Sequence, residues 1–403
     1  MEILFVSHKY PPAIGGMENQ SYALITGMAQ HAKVHKIIYT ANESHFQFFR
    51  KLNNRILQMV NLHPDIEIIH FNDGLIASVS LLHSGYTHIK RVVTVHGLDV
   101  VFPLWIYQRL VVPQFNSFDH IIAVSQATAR ALRERKIHPE KISVINNGID
   151  HGLNGETTDD QWTNFKSKYS VPNETKVLLM LGRAVKRKGF SWFISQVLPL
   201  LSPNIFVVIA GPFAQKPTKT DRQLRLLPRW LANLYMLFMG YPSDQQDLRT
   251  LLRSPGIRQR AVHLGKLPIE DLKILLSSAS IFLMPNIPVT GDMEGFGLVC
   301  LEASIAGSTV LASDIEGIAD AIIDKKNGHL VPSADPGAWK RKIEDILQDE
   351  NTGFHDRTRF RKYTIENYSW LKMTAQYASV FETLLVKNKF PSRNENILEA
   401  DHP

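Results

Sequence analysis

Short apolar runs rich in β-branched residues alternate with helical patterns along the whole chain, and this alternation limits the fold more than any other feature. Repeated strand–helix units form parallel sheets that helices cover on both faces. We therefore predict an α/β fold. The predicted strands are residues 3–7, 34–39, 66–71, 92–95, 121–124, 143–145, 177–181, 205–210, 261–264, 281–284, 309–312 and 329–331. Helices are predicted between most of them, including residues 190–201 and 296–305, and a long helix is predicted at about 356–388.

A polar stretch, residues 151–160, interrupts the alternation after Asp150 and is typical of a linker. The chain of 403 residues is also too long for one ordinary domain. We predict two Rossmann-like domains facing an interdomain cleft, with ligands beyond the carboxyl ends of the strands. Their predicted bounds are 1–155 and 156–370, and 371–403 is predicted to be a helix returning to the first domain plus a flexible tail.

Composition and patterning argue against a disordered, disulfide-stabilised, secreted or membrane-spanning protein. An apolar content of 44% and a charged content of 21% are globular values. The single cysteine, Cys300, excludes an intrachain disulfide and favours a reducing compartment. The first eight residues lack the pattern of a signal peptide, and no apolar run reaches the ~18–20 residues that span a bilayer. We expect a cytoplasmic protein.

The positive charge is concentrated in one segment. The formal net charge is +7, and residues 216–260 contain nine basic and three acidic side chains. The excess is therefore a local patch, and we expect no nucleic-acid partner.

Glu294 and Glu302 stand eight residues apart, with Gly295 and Gly297 after the first glutamate and an apolar helical run from Leu298. The glycines allow a ligand to approach the backbone and leave amides free at a helix N-terminus, which favours a phosphate. Carboxylates repel phosphate but accept hydrogen bonds from sugar hydroxyls. This pattern predicts a nucleotide-sugar site; the plain alternative is a helix start with one capping and one solvated glutamate.

Two strand ends in the first half carry further candidates. Gly15 and Gly16 lie between a strand and a helix, where the backbone either touches a phosphate or sugar or simply turns. Neither the dinucleotide fingerprint nor a P-loop is present there. His96 and Asp99 follow the fourth predicted strand; His96 is either structural or functional, and Asp99 either faces the cleft or caps the following helix.

Four cations occupy one predicted strand-to-helix loop, residues 182–189, which has a glycine at each end. A bound anion would relieve their mutual repulsion. Arg183 is suited to bidentate phosphate contact and Lys188 to a point-charge contact, whereas Lys186 and Arg187 are expected to be solvated. The chain has no Asp-x-Asp, and no His or Cys cluster has the spacing of metal ligands. We expect no metal or other cofactor, with the cations of this loop taking the role of Mg²⁺.

Together and in this order, the Gly15–Gly16 loop, His96, the 147–150 run Asn-Gly-Ile-Asp, the 182–189 loop and Glu-x₇-Glu resemble the retaining GT-B glycosyltransferases of family four, also called group 1. The similarity extends from residue 3 to about residue 370. The resemblance implies transfer from a nucleotide-diphosphate-sugar to a hydroxyl of a glycan, lipid-linked or small-molecule acceptor, with retention of configuration and without a metal.

The family also implies roles for individual residues. Glu294 would bind the hydroxyls of the donor sugar and Glu302 the ribose diol. Arg183 and Lys188 would clamp the diphosphate, and His96 would contact the transferred sugar. The backbone around these groups would complete the donor site at Gly15, Gly16, Gly295, Phe296, Gly297 and Leu298.

Residues 212–243 look inserted relative to that family, and 230–239 are almost continuously apolar. Either residues 212–260 bind an anionic membrane surface at the inner face of the cell membrane, or the apolar segment is a helix buried on the second domain or a partner subunit. Two other functions remain open. They are a nucleotide-sugar epimerase on the same scaffold and a non-catalytic nucleotide-sugar-binding protein.

Overall fold

The computed structural model describes residues 1–13, 15–150, 152, 157–224, 226–348 and 350–389, with the backbone alone at 350–355 and 387–389. These residues form two six-stranded parallel sheets with helices between the strands, which confirms the predicted α/β class. Half of the predicted linker, residues 151 and 153–156, and the predicted tail from residue 390 lie outside the described residues.

The first sheet has the strand order β2-β1-β3-β4-β5-β6. Its strands are β1 (Glu2–Ser7), β2 (Lys33–Ile38), β3 (Ile68–Phe71), β4 (Lys90–Val95), β5 (His120–Ala123) and β6 (Ile142–Val144). The helices around it are α1 (Gly16–Met28), α2 (His45–Leu62), α3 (Gly74–Ser80), α4 (Leu98–Val101) and α5 (Gln126–Glu134), with a π-helix at Tyr107–Val111 and 3₁₀ turns at Val112–Ser117 and Pro139–Lys141.

The second sheet has the order β12-β11-β10-β7-β8-β9. Its strands are β7 (Lys176–Leu181), β8 (Ile205–Ala210), β9 (Ala261–His263), β10 (Ile281–Met284), β11 (Val310–Asp314) and β12 (His329–Pro332). Its helices are α6 (Asp159–Lys168), α7 (Phe190–Trp192), α8 (Lys219–Leu224), α9 (Arg229–Met239), α10 (Gln245–Leu251), α11 (Pro255–Arg258), α12 (Ile269–Ser278), α13 (Leu298–Ile305), α14 (Ile318–Ala321) and α15 (Pro336–Gln348). Two longer helices, α16 (Glu350–Asn367) and α17 (Trp370–Lys389), follow.

Burial explains why the apolar runs become strands. Every residue of β1, β3, β8 and β10 is buried, as both faces of a helix-covered parallel sheet require. Helix starts are fixed locally: a capping box joins Ser44 to Gln47 at α2, and the Ser125 side chain accepts from Thr128 N at α5.

Two predicted helices are interrupted. The helix predicted at 190–201 becomes α7, a π-helix (Phe193–Val197) and a 3₁₀ turn (Leu198–Leu200), because Pro199 lacks the amide needed to continue an α-helix. The helix predicted at 356–388 is divided into α16 and α17 by Tyr368 and Ser369.

Helix α17 packs on the first sheet although it ends the described chain. Met373, Tyr377 and Phe381 share a hydrophobic cluster with Ile3 and Phe5 of β1. The first core therefore contains side chains from both ends of the sequence.

Candidate active site

The loop between β10 and α13 carries Glu294 and ends at a glycine that starts the helix. Gly297 adopts the left-handed region, with φ 82°, and no side chain caps α13. The helix therefore begins at Leu298, two residues later than predicted. The amides of its first turn are oriented for an anion.

Gly295 lies at a close contact between the two domains. A Cβ on Gly295 would overlap the carbonyl oxygen of His96, and a Cβ on Gly317 would overlap that of Gly295. Gly16 of the first domain also faces α13, because its Cβ would lie 3.2 Å from Leu298 Cδ1. Gly15 is extended, with φ 172°, and lies at the N-cap of α1. Gly16 of the first domain and Gly295 of the second therefore both lie at contacts across the cleft.

The predicted cationic loop lies against Glu294. Arg187 Nη2 is 3.3 Å and Lys188 Nζ 3.9 Å from Glu294 Oε2. Arg187 Nη1 is also 3.7 Å from Asp292 Oδ2. The expectation that Arg187 is solvated is therefore wrong: its guanidinium is the principal cationic partner of the predicted sugar-binding carboxylate.

The other two cations of the loop make their closest polar contacts with groups other than Glu294. Lys186 Nζ is 2.6 Å from Asp247 and 3.5 Å from Asp244, so its expected solvation is only partial. Arg183 is exposed, and its Nη1 donates a hydrogen bond of 2.7 Å to the carbonyl of Gly240, the C-cap of α9. Arg183 is therefore attached to the inserted segment.

Electrostatics favours an ionised Glu294. Burial alone would raise the pKa of this carboxyl, but Arg187 and Lys188, together with a hydrogen bond from Asn286 and the charge of Arg183, hold it below its usual range. Burial also lowers the pKa of Lys188, although Glu294 opposes that shift. A negatively charged ligand next to Lys188, such as a phosphate, would favour the protonated form of Lys188.

Glu302 lies in a separate part of the cleft. Burial raises the pKa of its carboxyl, with Lys188 opposing. It lines a cavity of about 290 Å³ together with residues of both domains, namely Asn19, Gly148, Ile149, Asp150, Gly152, Leu298 and Trp370. The two predicted glutamates therefore face different surroundings, as two different ligand groups would require. Asn19, missed by the sequence analysis, is the first-domain amide in this cavity.

Glu316 is a second missed residue. Its Oε2 accepts a hydrogen bond of 2.5 Å from Glu294 N, and the adjacent Gly317 N donates to Glu294 O at 3.0 Å. The backbone of Glu294 is thus held at both polar atoms. Glu316 has a positive φ of 53°, and burial raises the pKa of its carboxyl to about 7. No local pattern indicates this contact, because it joins loops 22 residues apart.

His96 faces the cleft from the end of β4. Its Nε2 is 2.9 Å from the carbonyl oxygen of Asn72 and must donate, since a carbonyl can only accept. In the neutral ring this donation leaves Nδ1 as the acceptor. Asp99 accepts from His96 N and from Gly74 N, each at 2.9 Å. The alternative that Asp99 caps the following helix is wrong: Asp99 lies inside α4 and binds the first residue of α3.

A buried chain of hydrogen bonds lies behind His96. His70 Nδ1 is 2.8 Å from Asn72 Oδ1 and its Nε2 is 2.9 Å from Thr94 Oγ1, while Tyr377 Oη of α17 is 2.9 Å from the same hydroxyl. Burial lowers the pKa of His70 to about 3, so its ring is neutral. Helix α17 therefore contacts the hydrogen-bonded side chains that hold Asn72, the residue whose carbonyl accepts from His96.

Two other groups bear on chemistry. His8 Nδ1 lies 2.9 Å from Asp73 Oδ2, with both side chains buried at the carboxyl edge of the first sheet. Among the described residues, ligand atoms of Glu2, His35 and His63 lie within 4.8 Å of one another. Glu2 begins β1, so this group lies at the amino edge of the first sheet, whereas Glu294 follows the carboxyl end of β10 in the second sheet.

Of the described helices, none combines the length and hydropathy needed to cross a bilayer.

Known families match both halves of the chain. Residues 161–367 match the model for glycosyl transferases group 1, and residues 18–153 match the model for glycosyltransferase family 4. The D-inositol 3-phosphate glycosyltransferase of Corynebacterium efficiens is 25% identical over 335 residues, which are 79% of this chain and 71% of that protein. A putative colanic acid biosynthesis glycosyltransferase, WcaL of Salmonella typhimurium, is 24% identical over 79% of this chain and 71% of its own.

Solved structures share the fold. HepE of Anabaena, in complex with UDP, superposes with a TM-score of 0.69 at 19% identity over 95% of this chain and all of that one. A sucrose-phosphate synthase of Thermosynechococcus elongatus has a TM-score of 0.70 at 18% identity over 96% of this chain and 99% of its own. With two facing Rossmann-like domains and family models matching each, the chain belongs to the group 1 glycosyltransferases and has the GT-B fold.

Proposed function

We propose that the protein transfers a sugar from a nucleotide-diphosphate-sugar to an acceptor hydroxyl, with retention of configuration and without a metal. The observation that carries this proposal is the ionised Glu294 between Arg187 and Lys188, beside the uncapped N-terminus of α13. The 182–189 loop and the loop before α13 together present a carboxylate and several phosphate-binding groups. This combination suits a ligand that is part polyol and part diphosphate.

In this proposal the donor spans the cleft. Glu294 accepts from the hydroxyls of the transferred sugar, and Glu302 accepts from the ribose in its cavity with Asn19. Lys188 and the first amides of α13 bind the diphosphate. Arg183 joins them by exchanging the neutral Gly240 carbonyl for phosphate oxygens, which are stronger charge-assisted acceptors.

Charge develops on the β-phosphate as the glycosidic bond breaks. Lys188, Arg183 and the helix N-terminus stabilise that charge, and one such preorganised donor typically contributes ~3 kcal/mol. The departing phosphate oxygen takes the proton of the acceptor hydroxyl on the same face of the sugar. Retention follows because the acceptor arrives on the side that the phosphate leaves.

Arg187 has a different role. Its guanidinium stays paired with Glu294 and Asp292, which keeps Glu294 ionised and correctly placed. His96 contributes the lone pair of Nδ1 as an acceptor for a hydroxyl of the transferred sugar, because Nε2 is engaged by Asn72.

A thermal-shift panel of UDP-, GDP- and ADP-sugars tests the donor class, since a donor raises Tm by mass action. UDP is the first choice, because the similar protein HepE was solved with UDP and with UDP-glucose. Glu302→Gln is expected to weaken the shift by replacing one of the two carboxyl oxygens that accept from the ribose diol. Glu270→Gln, at an exposed glutamate of α12, is the matched control. Equal shifts in both variants would contradict the ribose assignment.

Product analysis separates the competing functions. NMR of the anomeric proton after transfer is expected to show the configuration of the donor, with a rate unchanged by EDTA. Conversion of the donor sugar without any acceptor would favour an epimerase. Donor binding without turnover on glycan, lipid-linked or small-molecule acceptors would favour a non-catalytic binding protein.

A further inference from the structure

Two segments, one from each domain, form an exposed apolar surface beside the cleft. We call residues 104–110 and 226–239 the rim surface. Trp105 is 68% and Trp230 69% exposed, and Phe238 is 61% exposed. Further exposed apolar side chains of the rim surface are Leu104, Ile106, Leu110, Leu226, Leu227, Tyr235 and Met239.

The alternative that residues 230–239 form a helix buried on the second domain is wrong. Helix α9 is present, but among its residues only Ala232 is buried. A helix of 11 residues is about 16 Å long, and a monomer rarely leaves so much contiguous apolar surface uncovered without a function.

The two segments are continuous across the cleft. The rings of Phe102 and Phe238 are 6.1 Å apart at an interplanar angle of 63°. Pro103 is also close to Gly291 of the second domain, since a Cβ on Gly291 would lie 2.6 Å from Pro103 Cβ. The rim surface therefore spans both domains, next to the loop that carries Glu294.

The charge of the rim surface has one sign. Residues 100–118 and 222–243 contain no aspartate or glutamate. Arg109, Arg222 and Arg229 are exposed, and the Arg109 guanidinium lies 5.9 Å from the centre of the Trp105 ring. Exposed tryptophans among cations suit the headgroup region of an anionic bilayer, where an amphipathic ring and a positive charge are both stabilised.

Three cations of the predicted patch at 212–260 make polar contacts within the protein. Arg249 pairs with Asp221 at 3.2 Å, Arg253 donates to Gln215 O, and Arg260 donates to Ser202 O. These cations are engaged within the protein. The accessible cations described above belong instead to helices α8 and α9 and to the first domain.

We propose that the rim surface docks on an anionic phospholipid bilayer and thereby places the mouth of the cleft at the headgroups. Both domains take part, which extends the predicted membrane contact to residues 104–110. Resting on the proposed function, we further assign a lipid-linked hydroxyl as the acceptor class. The Arg183–Gly240 hydrogen bond connects this surface to the diphosphate site.

Vesicle co-sedimentation tests the docking. The full chain is expected to sediment with vesicles of equal parts phosphatidylglycerol and phosphatidylcholine, and poorly with phosphatidylcholine alone. Each cation near such a surface contributes about fivefold to binding, so R109Q/R229Q is expected to bind about 25-fold more weakly. W105S/W230S, which removes both rings, is expected to lose binding as well.

Matched controls remove similar groups elsewhere. L62S/L82S changes two exposed leucines of the first domain, and K340Q/K362Q removes a half-exposed cation of α15 and an exposed cation of α16. Both are expected to bind like the unaltered chain. Equal loss in rim and control variants, or equal binding to neutral and anionic vesicles, would overturn the proposal.

Two further measurements make the result decisive. Sedimentation velocity without vesicles would overturn the proposal if the chain self-associates and W105S/W230S abolishes that association, because a second copy would then cover the surface. The UDP thermal shift is expected to be equal in rim variants and the unaltered chain. A missing UDP shift in every protein, with vesicle binding intact, would contradict the donor assignment and leave the docking supported.

Discussion

Replacing Glu316 with glutamine removes a titrating group and preserves a hydrogen-bond acceptor. The amide oxygen of glutamine still accepts from Glu294 N, the contact that Glu316 Oε2 makes at 2.5 Å. Burial raises the pKa of Glu316 from 4.5 to about 7 in the folded protein. Between these two values the native state keeps a proton that the unfolded state has released.

The sign of the effect follows from proton linkage. Because the native state binds more protons in this interval, the free energy of unfolding falls as pH rises from 4.5 to about 7. The full interval corresponds to about 3 kcal/mol at about 1.4 kcal/mol per tenfold change in proton affinity. Glu316 is only partly buried, so solvent screening reduces the effect to about 1–2 kcal/mol.

Urea unfolding of both proteins at a series of pH values measures this difference. Glu316→Gln is expected to match the unaltered chain below pH 4.5, apart from a constant offset, and to gain about 1–2 kcal/mol relative to it by pH 8. Glu270→Gln controls for the loss of one carboxylate at an exposed position. A stability difference that stays constant from pH 4 to pH 8 would refute the assignment.

UDP binding gives a second measurement. A bound diphosphate would raise the pKa of Glu316 further, so binding at pH 7 is expected to take up protons. Calorimetric titrations in two buffers of different ionisation enthalpy detect that uptake. Glu316→Gln is expected to reduce it, and equal uptake in both proteins would place the proton on another group.

Other substitutions test separate parts of the site. Arg183→Ala is expected to lower kcat about a hundredfold with an unchanged circular dichroism spectrum; normal turnover would remove Arg183 from the phosphate clamp. Glu294→Ala is expected to abolish transfer but leave the chain folded, since Asp292 still pairs with Arg187; residual transfer near the normal rate would contradict its role. Gly295→Ala places a Cβ on the His96 carbonyl, so its Tm and UDP shift should both fall, and an unchanged Tm would mean that the domains do not meet there. Tyr377→Phe is expected to cost about 1–2 kcal/mol in urea unfolding by removing the hydroxyl bound to Thr94, with UDP binding unchanged.

The strands were predictable because burial on both faces selects continuous apolar runs. The start of α13 was predictable within two residues, because glycines mark a backbone that a side chain would obstruct. Arg187 was not distinguishable from Lys186 by sequence, since both are cations of one loop. Only the placement of Asp292 and Glu294 opposite that loop gives Arg187 its partners.

Contacts between distant loops account for the other missed residues. Glu316 reaches Glu294 only after β10 and β11 pair in the second sheet, and Tyr377 reaches Thr94 only after α17 returns to the first. Helix α9 shows a different limit of prediction from sequence. An apolar segment such as 230–239 has the same composition whether it is buried or exposed, so its surroundings decide.

The polypeptide leaves the first sheet beyond Asp150 and returns to it beyond Tyr368, and Gly148 and Ser369, which lie next to these two crossings, are in contact. A Cβ on Gly148 would overlap the backbone of Ser369, so only a glycine lets them lie this close. Two adjacent connections can act as a hinge. The cavity of Glu302 lies beside this hinge, with Gly148 and Trp370 in its wall. We expect any opening of the cleft to rotate the domains about this hinge, so the Glu302 cavity would move less than the parts of the cleft that lie farther from it.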